Sequence, residues 1–286
     1  MPLVKTIDLL RHATERRYGV AAINTYNYET MLWVAKAAER EGLPVIIQLY
    51  PGFGGYIPFD RFIAMAHDIA RQSPVPVAVH LDHCDTVDTA LAGIRDGFMS
   101  VMIDGSSKSF DENAAMTRQV VSVARVFGAD VEAELGHVGR GSNVGDFTNE
   151  ELYTKPGEAA EFVALTGCGW LAVAVGSAHG AYARTPSLDF GRIAAIRSAV
   201  DVPLVMHGTS DIPGDQLQKA VSLGVAKYNI ATEYDRAYGA FTREVCAENP
   251  AFSGFRLLKA VGEKMVDYTA AKLRLLNPGG VTPQGE

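Results

Sequence analysis

Three of the seven histidines are placed so that they could act together on a ligand. His83 closes the segment Val79-His80-Leu81-Asp82-His83, His179 is followed directly by Gly180, and His207 directly by Gly208. Three imidazoles around one open position are the donor set of a catalytic zinc site, where the open position takes water or substrate. No local spacing such as H-E-x-x-H joins them, so only the fold could assemble them. Satisfied polar side chains at the mouth of a barrel are the alternative reading. Asp82 adds a carboxylate able to exchange a proton with a metal-bound oxygen. Its plainer roles are a helix N-cap or the orientation of an imidazole. His12 and His67 stand in helical segments and read as surface or packing residues.

Glycine extends the pattern. In Ser177-Ala178-His179-Gly180 and His207-Gly208-Thr209-Ser210 it permits close backbone approach and leaves N–H groups for an anion. Asn229-Ile230-Ala231-Thr232 opens a helix whose amino terminus suits a phosphate.

These residues need a frame that gathers chain-distant positions. Eight short apolar runs recur: 20–24, 45–48, 77–80, 100–104, 131–134, 171–175, 204–207 and 227–230. Between them lie stretches of helical period, among them 29–41, 58–72, 113–127, 155–166, 189–200 and 213–223, several closed by glycine. Eight βα units without a composition break predict an α/β fold, a single-domain (β/α)8 TIM barrel over 1–286. An extra C-terminal helix at about 255–276 and a loose tail at about 277–286 follow. Nearly every run ends in a polar residue, including Asn24, Gln48, Asp104, Glu134 and Asn229, and a barrel gathers such strand ends on one face. The first strand lacks the G-x-G-x-x-G of a dinucleotide fold.

Composition narrows the classes further. With 286 residues, 48% apolar and 21% charged, the chain supports an ordinary core. The 26 Lys+Arg residues are scattered and the net charge is −7, which excludes the footprint of a nucleic-acid binder. No run reaches membrane-spanning length, and the first nineteen residues mix charges with Leu3, Ile7 and Leu10 at helical spacing, unlike a signal peptide. The odd count of three cysteines, Cys84, Cys168 and Cys246, without metal or CxxC spacing reads as buried free thiols. A cytoplasmic protein is expected.

The set His80-Leu81-Asp82-His83, Glu132-Ala133-Glu134-Leu135-Gly136, Ala178-His179-Gly180-Ala181-Tyr182, Val205-Met206-His207-Gly208-Thr209-Ser210 and Asn229-Ile230-Ala231-Thr232-Glu233 resembles the class II, zinc-dependent ketose-bisphosphate aldolases, of the fructose- and tagatose-bisphosphate type. The match runs in order over nearly the whole chain. The resemblance implies reversible retro-aldol cleavage of a ketose (bis)phosphate to dihydroxyacetone phosphate and an aldehyde. It implies His83, His179 and His207 as ligands of Zn2+, or of Co2+ or Mn2+, with Glu134 as an additional or alternative contact. Asp82 becomes the acid/base at the bond being broken. Gly180, Gly208, Ser210, Asn229 and Thr232 would hold the ketone-side phosphate, and Asn24 and Gln48 would contact substrate or support the site. The family also suggests a monovalent cation and a homodimer or homotetramer.

Several positions depart from that family's pattern. Where an acidic loop is usual after the fifth strand, residues 137–146 read HVGRGSNVGD, so Asp146, Glu150 or Glu151 would have to replace its proton-moving carboxylate. Arg140 there would bind an anionic group on the substrate or belong to a glycine-rich mobile lid. Tyr50 replaces a small hydroxyl residue, Ala183 and Arg184 stand where a lysine is common, and Thr209, Tyr228 and Tyr234 are bulkier than usual. Two other readings follow: an aldolase for a non-phosphorylated or differently charged ketose, and a non-catalytic aldolase-like accessory subunit.

Overall fold

The structure is a computed structural model and describes residues 3–281. Eight parallel strands close in sequence order into a barrel. They are β1 (Val20–Asn24), β2 (Val45–Leu49), β3 (Val77–Cys84), β4 (Ser100–Ile103), β5 (Asp130–Leu135), β6 (Trp170–Val173), β7 (Leu204–Met206) and β8 (Val225–Ile230). The helices are α1 (Thr6–Arg16), α2 (Tyr28–Glu41), α3 (Phe59–Gln72), α4 (Val87–Asp96), α5 (Phe110–Phe127), α6 (Val144–Thr148), α7 (Pro156–Thr166), α8 (Phe190–Ala199), α9 (Gly214–Ser222), α10 (Thr232–Glu248) and α11 (Gly254–Leu275). Among the described residues no helix is long and apolar enough to cross a membrane.

Strand side chains alternate between two apolar layers. Ala21, Ile23, Val45, Ile47, Leu49, Val77, Val79, Leu81, Val131, Ala133 and Leu135 pack outward beneath the helices. Val20, Ala22, Ile46, Ala78, Trp170 and Ala172 point into the barrel, where Ile7, Leu10 and Ala13 of α1 close the lower end. The same alternation turns Asn24, Gln48, Asp82, Glu132 and Glu134 inward. Register then sets Asn24 opposite Gln48, and Gln48 opposite His80.

One strand differs from the sequence expectation. β3 does not stop at His80 but runs to Cys84, because a register irregularity against β4 between Leu81 and Cys84 re-aims the strand without ending it. The loop after β5 carries Arg140 and Asp146. It contains α6 and is stitched to the β6 loop by Gly141 N–H to His179 O and His179 N–H to Gly139 O, each 2.7 Å. In the tail, Asn277 to Val281 form a turn in which Asn277 Nδ2 donates to Val281 O at 2.9 Å; residues 282–286 lie outside the described residues.

Candidate functional site

At the carboxyl ends of the strands lies a cavity of about 870 Å³. Its lining brings together Asn24, Asp82, His83, Arg140, Asp146, His179, Gly180, Gly208, Ser210, Asn229 and Thr232, contributed by six strand ends and their loops. Gln48, Glu134 and His207 lie just beneath that surface, all essentially buried. Arg184 instead borders a separate surface hollow with Phe147 and Asp189. Tyr50 does border the cavity, whereas Tyr228 and Tyr234 are buried among helices and strands, the latter donating to Thr30 O at 3.0 Å. The Thr209 hydroxyl donates to Asn229 O at 2.5 Å and ties the loop after β7 to β8.

The three histidines meet. Their ring centroids lie 4.5 Å apart for His83 and His207, 4.9 Å for His83 and His179, and 5.8 Å for His179 and His207. One nitrogen from each falls within 4.8 Å of the other two. In each ring the remaining nitrogen is engaged by the protein: His83 Nδ1 with Asp104 Oδ2 at 2.8 Å, His179 Nδ1 with Val138 O at 3.2 Å, and His207 Nε2 with Glu132 Oε1 at 2.8 Å. Acceptors on the outer nitrogens leave the inner ones as lone-pair donors, the way metal-binding imidazoles are oriented. His83 Nε2 and His207 Nδ1 stand 2.7 Å apart. His83 occupies a left-handed backbone conformation, φ 35°, a strain on the order of 1–3 kcal/mol that accompanies the irregularity in β3.

Electrostatics describe a site that attracts positive charge. Burial opposes protonation of His83, but Asp82, the bond to Asp104 and Glu134 push it up to about 10. Burial and then His83 press His179 down to about 4, and burial holds His207 well below the ordinary range. Glu134 is driven well above the usual carboxylate range by burial and Asp104. Two buried atoms aimed at the cluster, His179 Nε2 and Glu134 Oε2, have no hydrogen-bond partner, and Glu134 Oε2 lies 3.5 Å from His207 Nδ1. A borderline-soft divalent cation suits this nitrogen-rich set with its carboxylate neighbours.

Asp82 is held by three amides. Asn24 Nδ2 and Gln48 Nε2 donate to its Oδ2 at 3.1 and 3.2 Å, and Asn229 Nδ2 donates to its Oδ1 at 3.0 Å. The N-cap reading of Asp82 is thereby replaced, since Thr86 caps α4. Asn229, read from sequence with the phosphate residues, spends an N–H on this carboxylate.

Asp104, Glu132, Trp170 and Lys227 were not assigned roles from the sequence. Asp104 was visible as the polar end of the fourth run. The other three stand inside strands, and the available signal was a charged pair in otherwise apolar segments.

Comparison with known proteins follows the same lines. The family described as fructose-bisphosphate aldolase class-II matches residues 4–280. A relative named D-tagatose-1,6-bisphosphate aldolase subunit GatY, from Klebsiella oxytoca, is 39% identical over 251 residues, which are 87% of this chain and 88% of that protein. The structure of the YdjI aldolase from Escherichia coli K12 superposes with a TM-score of 0.86 at 35% identity, covering 96% of this chain and 97% of the other. Fructose-bisphosphate aldolase from Campylobacter jejuni shares the fold at a TM-score of 0.83 and 23% identity, over 96% and 95% of the two chains.

Proposed function

Because the chain belongs to the class-II fructose-bisphosphate aldolase family and is an aldehyde-lyase, we propose that it catalyses metal-dependent retro-aldol cleavage of a ketose phosphate to dihydroxyacetone phosphate and an aldehyde. The observation that carries this reading is the convergence of three inner imidazole nitrogens, each ring fixed from behind, beside Asp82. His83 Nε2, His179 Nε2 and His207 Nδ1 would hold a divalent ion, Zn2+ or else Co2+ or Mn2+, with Glu134 as a further donor. When bound, that ion supplies an electron sink for the ketose carbonyl.

The chain's own residues divide the remaining work. Asp82 removes the proton from the hydroxyl on the aldehyde side of the breaking carbon–carbon bond, and the electron pair of that bond stays with the ketone fragment. Asn24, Gln48 and Asn229 aim the carboxylate. Gly180, Gly208, Ser210 and Thr232 form the phosphate end, where backbone N–H groups and the start of α10 suit an anion. Asp146 is the loop carboxylate that reaches the cavity, so we assign it the proton on the ketone fragment. Glu150 pairs with Arg192 at 3.5 Å instead.

Among the described lining residues Arg140 is the one lysine or arginine. It would meet an anionic group on the aldehyde portion, which favours a bisphosphate or a differently charged ketose over a neutral tail. A chelator should abolish cleavage and Zn2+ or Co2+ restore it, while borohydride with substrate leaves the enzyme active. Borohydride trapping of a lysine adduct would reject the mechanism. A panel of ketoses with and without the 1-phosphate sets the substrate class, equal rates pointing to a non-phosphorylated sugar.

A further inference from the structure

The barrel interior holds an ion pair behind His207, of which the chemistry above uses only Glu132 Oε1. Glu132 on β5 and Lys227 on β8 are both fully buried, with Lys227 Nζ 2.8 Å from Glu132 Oε2. Trp170 Nε1 donates to the same oxygen. The other oxygen, Oε1, faces His207 Nε2 at 2.8 Å. His80, its Nδ1 paired with Ser100 Oγ at 2.5 Å, places Nε2 3.4 Å from Oε2 without a hydrogen bond.

Such a pair is poor evidence of selection for stability, because desolvating two charges offsets most of their attraction and an apolar or neutral replacement of equal volume is often neutral or stabilising. Its geometry serves another end. A carboxylate has no proton to give, so His207 must present Nε2–H to Glu132 and keep its lone pair on Nδ1, facing His83 Nε2 at 2.7 Å. Asn229 Nδ2, which donates to Asp82, also approaches His207 Nε2 at 3.2 Å, but a ring nitrogen whose N–H goes to Glu132 has no lone pair left to accept from it. Lys227 and Trp170 fill Oε2, which leaves Oε1 as the acceptor for the imidazole.

Resting on the metal-dependent reading above, we propose that Lys227 and Glu132 are positioning residues that lock His207 into its Nε2–H tautomer and so set the affinity of the three-histidine site for its cation. The pair touches neither substrate nor reacting atoms and acts through His207.

The test separates affinity from folding. In Glu132→Leu/Lys227→Met both charges leave together, so no buried charge is orphaned and no acceptor at position 132 faces His207 Nε2. The metal-free double variant should match or exceed the wild-type thermal midpoint, yet bind Co2+ about 10–100-fold more weakly in competition with a chromophoric chelator. Its Co2+ visible spectrum should change, and Lys227→Arg should stay nearer wild type in both readings. A folded double variant that binds Co2+ within twofold of wild type, with an unchanged spectrum, overturns the proposal. Should the double variant not fold, ¹⁵N-imidazole spectra of the wild-type protein decide instead: a proton on His207 Nε2 supports the lock, and one on Nδ1 overturns it. Wild-type protein that fails to bind Co2+ would sink the underlying functional reading rather than this inference.

Discussion

Asp82 is an acceptor for three side-chain amides, while the three imidazoles beside it are held from behind by Asp104, Val138 O and Glu132. Removing its carboxylate should therefore spare the cluster and stop proton transfer. Asp82→Ala is expected to lower kcat by about 10²–10⁴-fold while zinc per chain stays at the wild-type level; wild-type turnover would refute its role. Asp146 makes a sharper case. Its Oδ2 accepts from Arg140 N–H at 2.8 Å and its Oδ1 from Asn143 Nδ2 at 2.6 Å, so the side chain reaches the cavity from within its own loop. Asp146→Asn should slow hydrogen exchange between dihydroxyacetone phosphate and solvent with the metal content unchanged. Exchange at the wild-type rate would pass the role to another carboxylate.

Elements act by how closely their loops can approach. Gly180 and Gly208 both border the cavity and both have left-handed backbones, φ 85° and 64°. They differ in room: a Cβ on Gly208 would sit 2.2 Å from Ala178 O, whereas nothing lies within 4 Å of one on Gly180. Gly180→Ala should cost about 1–2 kcal/mol for the backbone alone and leave a working enzyme. Gly208→Ala must also displace the Ala178 backbone, next to His179. Calorimetry and KM should show the larger loss of stability and the weaker binding of phosphorylated substrate in Gly208→Ala, and equal effects would contradict this account of the loop contact.

Over the whole molecule, stability and chemistry occupy different layers. The outer layer beneath the helices is apolar, and there Phe62 of α3, 0% exposed, stacks on Phe98 at 5.8 Å between centroids. Phe62→Ala should destabilise the protein by about 3–5 kcal/mol and leave kcat of the folded fraction near wild type, as denaturant titration and assay would show. A comparable loss of kcat in the folded fraction would mean that the layers are coupled. The inner layer is apolar toward α1 and polar toward the cavity, so a single direction along the barrel axis leads from packing to chemistry.

The strand count, the barrel class and the ring of polar strand ends were legible in the sequence because period-two alternation and βα spacing are local properties of the chain. His83, His179, His207 and Asp82 were legible as residue types with suggestive neighbours. Their convergence followed from the barrel class and from the family resemblance rather than from any spacing, since no sequence spacing encodes a distance between β3, β6 and β7. What only the tertiary structure decided is who faces whom. Asn229 turned out to donate to Asp82, and the loop that carries Arg140 is joined to the His179 loop by backbone hydrogen bonds. Glu132 and Lys227, ninety-five residues apart, pair behind His207. Each of these contacts is made across the barrel or between loops, where burial and register select partners that the linear order leaves unrelated.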